Sequence, residues 1–181
     1  MKKLGYLTLL CGTALLAQNN PNAAPVTSVE DVKYLWGLVK YNVLEAAEKM
    51  PEAGYAFQPT NGERNFGGWV AHIADTQMMY CSVAAGQPKQ LNAGAMTKKA
   101  DLLAALKTSF DICEAVYAGT TEANAGRITP NFRGPRPLIS VLYANISHTN
   151  ECYGNMSVYL RLNGIVPPST ELQKAATSNK K

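Results

Sequence analysis

The stretch "LISVLYANISHTNECYGNMSVYLRL", Leu138 to Leu162, carries the clearest helical pattern in the chain. Its core-facing residues recur at helical spacing and fall on one face. They are Leu138, Val141, Leu142, Asn145, His148, Cys152, Met156, Tyr159 and Leu160. Gly164 is well placed to end the helix, and two prolines follow it. The pattern therefore predicts a long amphipathic helix whose inner face includes an imidazole and a thiol.

Three further amphipathic patterns precede this helix, separated by segments rich in glycine and proline. They span about 29–50, 65–85 and 97–117. The connection "AGTTEANAGRITPNFRGPRP", residues 118–137, is long for a compact domain and has the length of a functional loop. No segment shows the alternation of a strand. The four patterns predict an all-α fold, a four-helix bundle.

The N-terminus has the features of a secretory signal. Lys2 and Lys3 precede an apolar run, Leu4 to Ala17, which is shorter than the roughly 20 residues of a membrane span. We expect cleavage after about residue 17 to 24, with an uncleaved anchor as the alternative. Residues 1–24 are then signal and leader, and residues 25–169 form the bundle. The prediction is an exported protein, periplasmic or extracellular, without stable membrane insertion after cleavage.

The charge of the chain argues against one class of partner. The formal net charge is +4, and removing Lys2 and Lys3 leaves +2. Without the four charged residues of 170–181, 12 basic residues balance 12 acidic ones. A neutral body without a basic stripe does not favour nucleic-acid binding. Residues 170–181 themselves are expected to form a disordered basic tail.

Three cysteines, Cys81, Cys113 and Cys152, remain once Cys11 has left with the signal. An odd number in an exported protein leaves at least one thiol without an internal partner. Cys81 and Cys113 both lie near the ends of their helices, on or near the inner stripe. We predict that the two cysteines approach each other across the second and third helices, although the topology decides this, and whether they form a disulfide stays open. Antiparallel neighbours would separate these ends, whereas a long crossover would bring them together.

His148 and Cys152 are four residues apart, so their Cβ atoms lie about 6 Å apart on one helix face. Both can reach one metal ion, and His72, the only other histidine, lies beside the core stripe of the second helix. Three protein ligands with an open fourth position are typical of a catalytic metal site. The alternative is a core histidine satisfied by Asn145 or Glu151, with the cysteine packed as a small apolar residue.

Two segments resemble a known family. They are "RNFGGWVAHIADTQMMYCS", residues 64–82, and "LYANISHTNECYGNMSVYLRLNGIVPPS", residues 142–169. The first is similar to the second-helix signature, and the second to the fourth-helix signature, of the DinB-like (YfiT-type) four-helix-bundle proteins. The two motifs occur in the right order, and the resemblance extends from about Ser28 to Ser169. It implies the same bundle that the helical patterns predict.

The resemblance also implies a metal site. In this family a histidine on the second helix and an H-x-x-x-H pair on the fourth helix bind a divalent metal. These positions fall on His72, His148 and Cys152, so a thiol stands where the family has its third histidine. A thiolate can replace an imidazole at zinc, although it is softer and carries a charge. The expected cofactor is zinc, with nickel or another transition metal as alternatives, and loss of the metal through this change stays open.

Three classes of function follow from the resemblance and the site. The family includes transferases and isomerases that use a low-molecular-weight thiol. A hydrolase that uses metal-bound water is chemically just as possible. By proximity, Glu151 and Tyr153 are the candidate catalytic acid/base residues, while Asp75 and Glu151 are candidate partners of the ligating imidazoles. The non-enzymatic alternatives are a module that binds a metal or small ligand and a bundle with an inactive site. The sequence leaves open the small-molecule substrate and the choice between a monomer and a homodimer.

Overall fold

The computed structural model describes residues 26–131 and 133–178. Four long helices make up the bundle, namely α1 (Ser28–Lys49), α2 (Phe66–Ala84), α3 (Lys99–Gly119) and α4 (Leu138–Leu162). Their bounds agree with the predicted patterns to within about two residues, the usual uncertainty of a helix end. The prediction of a four-helix bundle is therefore confirmed. The export signal expected over residues 1–24 lies outside the described residues.

The helices begin where the sequence supplies capping groups. At α1, Thr27 Oγ1 accepts a hydrogen bond from the N–H of Glu30 at 3.2 Å, and the Glu30 carboxylate accepts one from the N–H of Thr27 at 2.9 Å. This reciprocal pair is a capping box. At α2, Asn65 Oδ1 accepts from the N–H of Gly68 at 2.7 Å. The second cap sets the start of the helix that carries His72.

Helices α2 and α3 run parallel to each other, and α1 and α4 run in the opposite direction. Lys33, near the start of α1, donates to the carbonyl of Ala118 at the end of α3, at 3.3 Å. Tyr159, near the end of α4, donates to the carbonyl of Arg64 just before α2, at 2.5 Å. Residues 85–98 therefore cross the length of the bundle to connect α2 with α3. The antiparallel packing of α2 and α4 brings the middle of one helix opposite the middle of the other.

The crossover brings the ends of α2 and α3 together, and with them two cysteines. Cys81 and Cys113 form a disulfide, with their Cα atoms 5.0 Å apart. The expectation that a long crossover would bring them together is confirmed. Cys152 is the free cysteine of the described residues. The crosslink holds α2, the helix of His72, firmly against α3.

A fifth helix, α5 (Pro168–Ser178), follows α4, so the prediction of a disordered tail over 170–181 is wrong as far as residue 178. Its first residue is a proline, which suits the first position of a helix because the missing N–H would have no partner there. The hydroxyl of Tyr153 hydrogen-bonds to the first turn of α5, and Glu171 pairs with Lys49 of α1. These tertiary contacts stabilise a short helix that the sequence alone does not predict.

A two-stranded antiparallel ladder is the other departure from the predicted fold. It pairs β1 (Ile128–Thr129) with β2 (Arg136–Pro137) inside the connection 118–137. Strands of two residues are too short to show an alternating pattern, so the sequence carries no signal for them. The N–H of Leu138 donates to the carbonyl of Arg127 at 2.8 Å, which ties the connection to the start of α4.

Aromatic side chains fill the core between α1 and α3. Trp36 stacks on Tyr117 with ring centroids 4.5 Å apart. Tyr117 is only 1% exposed, and its hydroxyl donates to the carbonyl of Leu142 on α4 at 2.9 Å. Burial of such side chains stabilises the fold by about 1.5–3 kcal/mol each. None of the described helices combines the length and the apolar character needed to cross a bilayer.

Candidate metal centre

His72 of α2 and the pair His148 and Cys152 of α4 converge in the groove between the two helices. The Nε2 atoms of the two histidines lie 3.1 Å apart, and Cys152 Sγ lies 3.7 Å from His148 Nε2. The three donor atoms all lie within 4.8 Å of one another. The helical spacing within α4 and the antiparallel packing of α2 together produce the convergence that the sequence predicted.

The three side chains differ in their exposure. Cys152 is 2% exposed, whereas both histidines are half-buried. The imidazole rings meet edge to face, with centroids 5.1 Å apart, and the ring of Trp69 packs against His72 at 6.1 Å. Two nitrogen lone pairs at 3.1 Å repel each other, so without a metal one Nε2 must carry a proton that it donates to the other. The sulfur lies at the buried side of the site and the imidazoles at its open side.

The surroundings of the site keep His72 and Cys152 uncharged. Burial lowers the pKa of His72, and the guanidinium of Arg64 and the ring of His148 lower it further. The neutral imidazole that results is the form that binds metals. Burial raises the pKa of Cys152 to about 11, and the carboxylate of Glu151 adds to this effect. At neutral pH the thiol of the metal-free protein therefore holds its proton, and metal binding must release that proton.

The donor set fits a zinc ion. Tetrahedral zinc, with bonds of about 2.1 Å to nitrogen and about 2.3 Å to sulfur, places two nitrogens about 3.4 Å apart and a nitrogen and a sulfur about 3.6 Å apart. The separations of 3.1 Å and 3.7 Å in the structure are close to these values, and all three donor atoms lie within 4.8 Å of one another, so a bound ion would draw them closer together. Imidazole and thiolate are both ligands that zinc accepts, and three of them leave a fourth position for a substrate atom.

The two predicted acid/base residues lie on different sides of α4. Glu151 is exposed and lines the cleft that opens onto the two histidines. Tyr153 is buried, and its hydroxyl donates to Ser169 Oγ at 2.8 Å and accepts from the N–H of Ser169 at 3.0 Å. One step along a helix turns the side chain by about 100°, so the residue after Cys152 faces α5 instead of the cleft. The structure brings Glu151 to the site and does not bring Tyr153 there.

Two other side chains that the sequence offered as partners of the histidines are engaged elsewhere. The carboxylate of Asp75 accepts hydrogen bonds from the N–H of Ala93 at 2.8 Å and from the N–H of Gly94 at 3.2 Å. It therefore anchors the crossover between α2 and α3. Asn145 donates to Gln77 Oε1 at 2.9 Å in the core. Its position on the inner face of α4 serves this amide contact.

A buried polar layer lies directly next to the site. Gln77 is 0% exposed and donates through Nε2 to Thr149 Oγ1 at 2.7 Å. Thr149 is the residue after His148, and Gln77 lies between His72 and the disulfide along α2. Buried hydrogen bonds of this kind are costly to break, so they hold the register of α2 against α4. The layer therefore positions His72 opposite His148.

The cleft beside the two histidines has a volume of about 430 Å³. It is lined by His72, Thr76, Met79, Tyr80, Arg133, Ala144, Ser147, His148 and Glu151. Tyr80 and Arg133 were not predicted from the sequence as site residues. In the sequence, Tyr80 belongs to the stripe of core-facing residues of α2, and Arg133 lies in the long connection 118–137. Neither position carries a pattern that predicts a binding site. A cleft of this size with a few polar groups suits a small polar molecule.

His72 also borders a second, larger cleft of about 730 Å³ near the start of α2. Arg64 lines it, and its guanidinium lies 4.9 Å from the ring centroid of Trp69. After burial, the charge of Arg64 is the next cause of the lowered pKa of His72, and it offsets part of the rise that burial produces in the pKa of Cys152. His72 of the candidate metal centre therefore borders two clefts, one lined by Arg64 and the other by Arg133.

The model of the DinB superfamily matches residues 38–154, well over half of the chain. The fold is similar to the crystal structure of a DinB-like protein from Bacillus cereus ATCC 10987, with a TM-score of 0.66 and 18% identity over 77% of this chain and 95% of that chain. It is also similar to the DinB-like protein YjoA from Bacillus subtilis, with a TM-score of 0.60 and 21% identity over 74% of this chain and 92% of that chain. No curated protein matches the sequence. The chain therefore belongs to the DinB superfamily.

Proposed function

We propose that this protein is an exported metalloenzyme in which His72, His148 and Cys152 bind one zinc ion and a small molecule reacts at the open position. The convergence of the three donor atoms carries the proposal. A histidine that only packs in a core does not need a second imidazole nitrogen facing it at 3.1 Å. Nickel or another divalent transition metal is compatible with the same donors.

The reaction class that the site favours is metal-dependent transfer or hydrolysis. Zinc held in this way supplies a Lewis acid with an open position, which lowers the pKa of a small thiol or a water molecule. Glu151, exposed at the rim of the cleft, accepts the proton that such a nucleophile loses. Tyr80 and Arg133 line the same cleft and orient a polar or anionic substrate. The resemblance to thiol-dependent members of the family favours a thiol as one reactant.

The disulfide supports the exported location. Cys81 and Cys113 form a bond that persists in oxidising compartments and is rare in the reducing cytosol of most cells. This agrees with the basic start and the short apolar run of residues 4–17. On this basis we propose that the protein works in the periplasm or outside the cell.

A non-enzymatic metal-binding module, or an inactive bundle, is the second candidate. The burial of Cys152 favours these two alternatives over an enzyme. A thiol with a pKa of about 11 must lose its proton before it can bind a metal. Such a ligand weakens binding near neutral pH compared with a histidine at the same position. Metal content separates the inactive bundle from the other two functions, and turnover separates the enzyme from the binding module.

The metal site is tested by the zinc content of untagged protein, measured by inductively coupled plasma mass spectrometry. We expect about one zinc per chain in the wild type. Cys152→Ala should lose it, Cys152→His should keep it or bind it more tightly, and the control Glu151→Gln should keep it. If Cys152 only packs in the core, alanine would leave the metal content unchanged and cost about 1 kcal/mol of stability, whereas histidine would overpack.

The activity is tested with the same variants. Wild-type protein is assayed for the conjugation of small thiols to electrophiles and for the hydrolysis of small esters and amides, before and after removal of the metal with a chelator. We expect turnover that is lost when the metal is removed and restored by added zinc. Turnover should also fall in Glu151→Gln, although this variant keeps its zinc. Zinc-loaded protein without turnover on any substrate would instead identify a binding module.

A further inference from the structure

A cavity of about 330 Å³ lies where the ends of α2 and α3 meet the connection 118–137. Its walls are mostly small and apolar side chains, among them Ala84, Ile112, Ala115 and Val116. It shares no lining residue with either cleft at the metal centre. Cavities that hold small molecules begin at about 300 Å³ and are mainly apolar, with a few polar groups.

The cavity is preformed by covalent and hydrogen bonds. Ser82 and Ile112, which line it, are the direct neighbours of the two disulfide cysteines, so the crosslink holds the facing walls together. Asn124 of the connection donates to the carbonyl of Gly119 at 2.9 Å and accepts from the N–H of Thr121 at 2.9 Å. These contacts fix the third wall, so the site loses little conformational entropy when a ligand binds.

Among the described residues, the ionisable side chains that line the cavity are two cations, Lys89 and Arg127. Neither forms an ion pair within the described part of the chain. One N–H of Arg127 donates to the carbonyl of Ala84 at 3.1 Å, which covers an oxygen at the end of α2 that would otherwise repel an anion.

Of the acids next to lining residues, Glu114 pairs with a lysine of α1 and Glu122 accepts a hydrogen bond from a backbone N–H of α1. Asp111, beside Ile112, is exposed and does not line the cavity. The cavity is therefore apolar inside and positively charged at its edge.

We propose that this cavity is a second binding site, independent of the metal centre, for an aliphatic carboxylate of medium chain length. The hydrocarbon chain packs against the alanines and valine of α2 and α3, and the carboxylate pairs with Lys89 and Arg127. This assigns a role to the connection 118–137, which the proposed metal chemistry uses only through Arg133. A carboxylate is the anion chosen because a guanidinium and an ammonium at the edge of one apolar cavity match its charge and size.

The probe is decanoate, titrated into the purified protein by isothermal titration calorimetry below its micellar concentration. EDTA is present throughout, so that the carboxylate cannot bind through a metal. We expect saturable binding of one decanoate per chain and at least tenfold weaker binding of decyltrimethylammonium, which has the same chain and the opposite charge. No saturable binding of decanoate, or equal binding of the two amphiphiles, would overturn the proposal.

Two variants locate the binding. Ala115→Trp fills the cavity from an exposed helix position and should abolish decanoate binding while the far-UV circular dichroism spectrum stays unchanged. Lys89→Gln should weaken binding about two- to fivefold, as expected for an exposed charge pair. Lys98→Gln, which removes an exposed lysine that does not line the cavity, is the matched control and should bind like the wild type. Unchanged affinity in Ala115→Trp, or equal weakening by the two lysine variants, would place the binding elsewhere.

Discussion

The disulfide between Cys81 and Cys113 is expected to contribute about 3.7 kcal/mol to the free energy of unfolding. The two cysteines are 32 residues apart in the sequence. For a closed loop of that length the chain-entropy relation gives about 12 cal/mol/K, or about 3.7 kcal/mol at 25 °C. Both residues are 0% exposed, so replacing both with alanine also removes buried sulfur and adds about 1 kcal/mol. A loss of about 4–5 kcal/mol is a large part of the stability of a typical domain.

The assay is urea unfolding of Cys81→Ala/Cys113→Ala and wild type, followed by circular dichroism, with and without dithiothreitol. EDTA is added to all samples, because the reductant also binds metals. Reduction should destabilise the wild type by about 3.7 kcal/mol and leave the double variant unchanged, since the variant has no crosslink to lose. A loss below about 1 kcal/mol in the double variant would refute the reasoning. So would three titratable thiols per unfolded but unreduced mature chain, where we expect only that of Cys152.

Three further predictions concern the free thiol, α5 and export. In the metal-free protein, Cys152 should react slowly with iodoacetamide at pH 8, about one thiol in a thousand being ionised at a pKa of about 11. The rate should rise roughly tenfold per pH unit up to that pKa, and zinc should block it; a fast reaction at pH 8 would contradict the burial of the sulfur. Tyr153→Phe removes the hydroxyl contacts with Ser169 and should cost about 1–2 kcal/mol in urea unfolding while zinc content and turnover stay unchanged. A large loss of turnover in this variant would show that Tyr153 is a catalytic residue. Intact-mass analysis of the protein from its own cell should show the loss of about 17–24 residues, and the full-length chain in the cytosol would reject export.

The positions of the four long helices can be predicted from the sequence because they depend on local features. The apolar repeat of each helix, the caps at Thr27 and Asn65, and the glycines and prolines between helices all act within a few residues. The same locality explains why His148 and Cys152 could be paired from the sequence, since four residues make about one turn. His72 could be added as the only other histidine, beside the core stripe of the second helix, and the resemblance of the second and fourth helices to a family supports that choice.

What only the tertiary structure decided is how the helices face one another. The parallel arrangement of α2 and α3 brings Cys81 to Cys113, whereas antiparallel neighbours with the same sequences would hold the two cysteines far apart. The rotation of α4 turns Tyr153 towards α5 and leaves Glu151 at the cleft, although both are direct neighbours of Cys152. Helix α5 itself forms through contacts with α1 and α4. The spacing of apolar residues along one helix indicates which of its residues share a face. The partner of that face depends on side chains distant in the sequence, which only packing brings together.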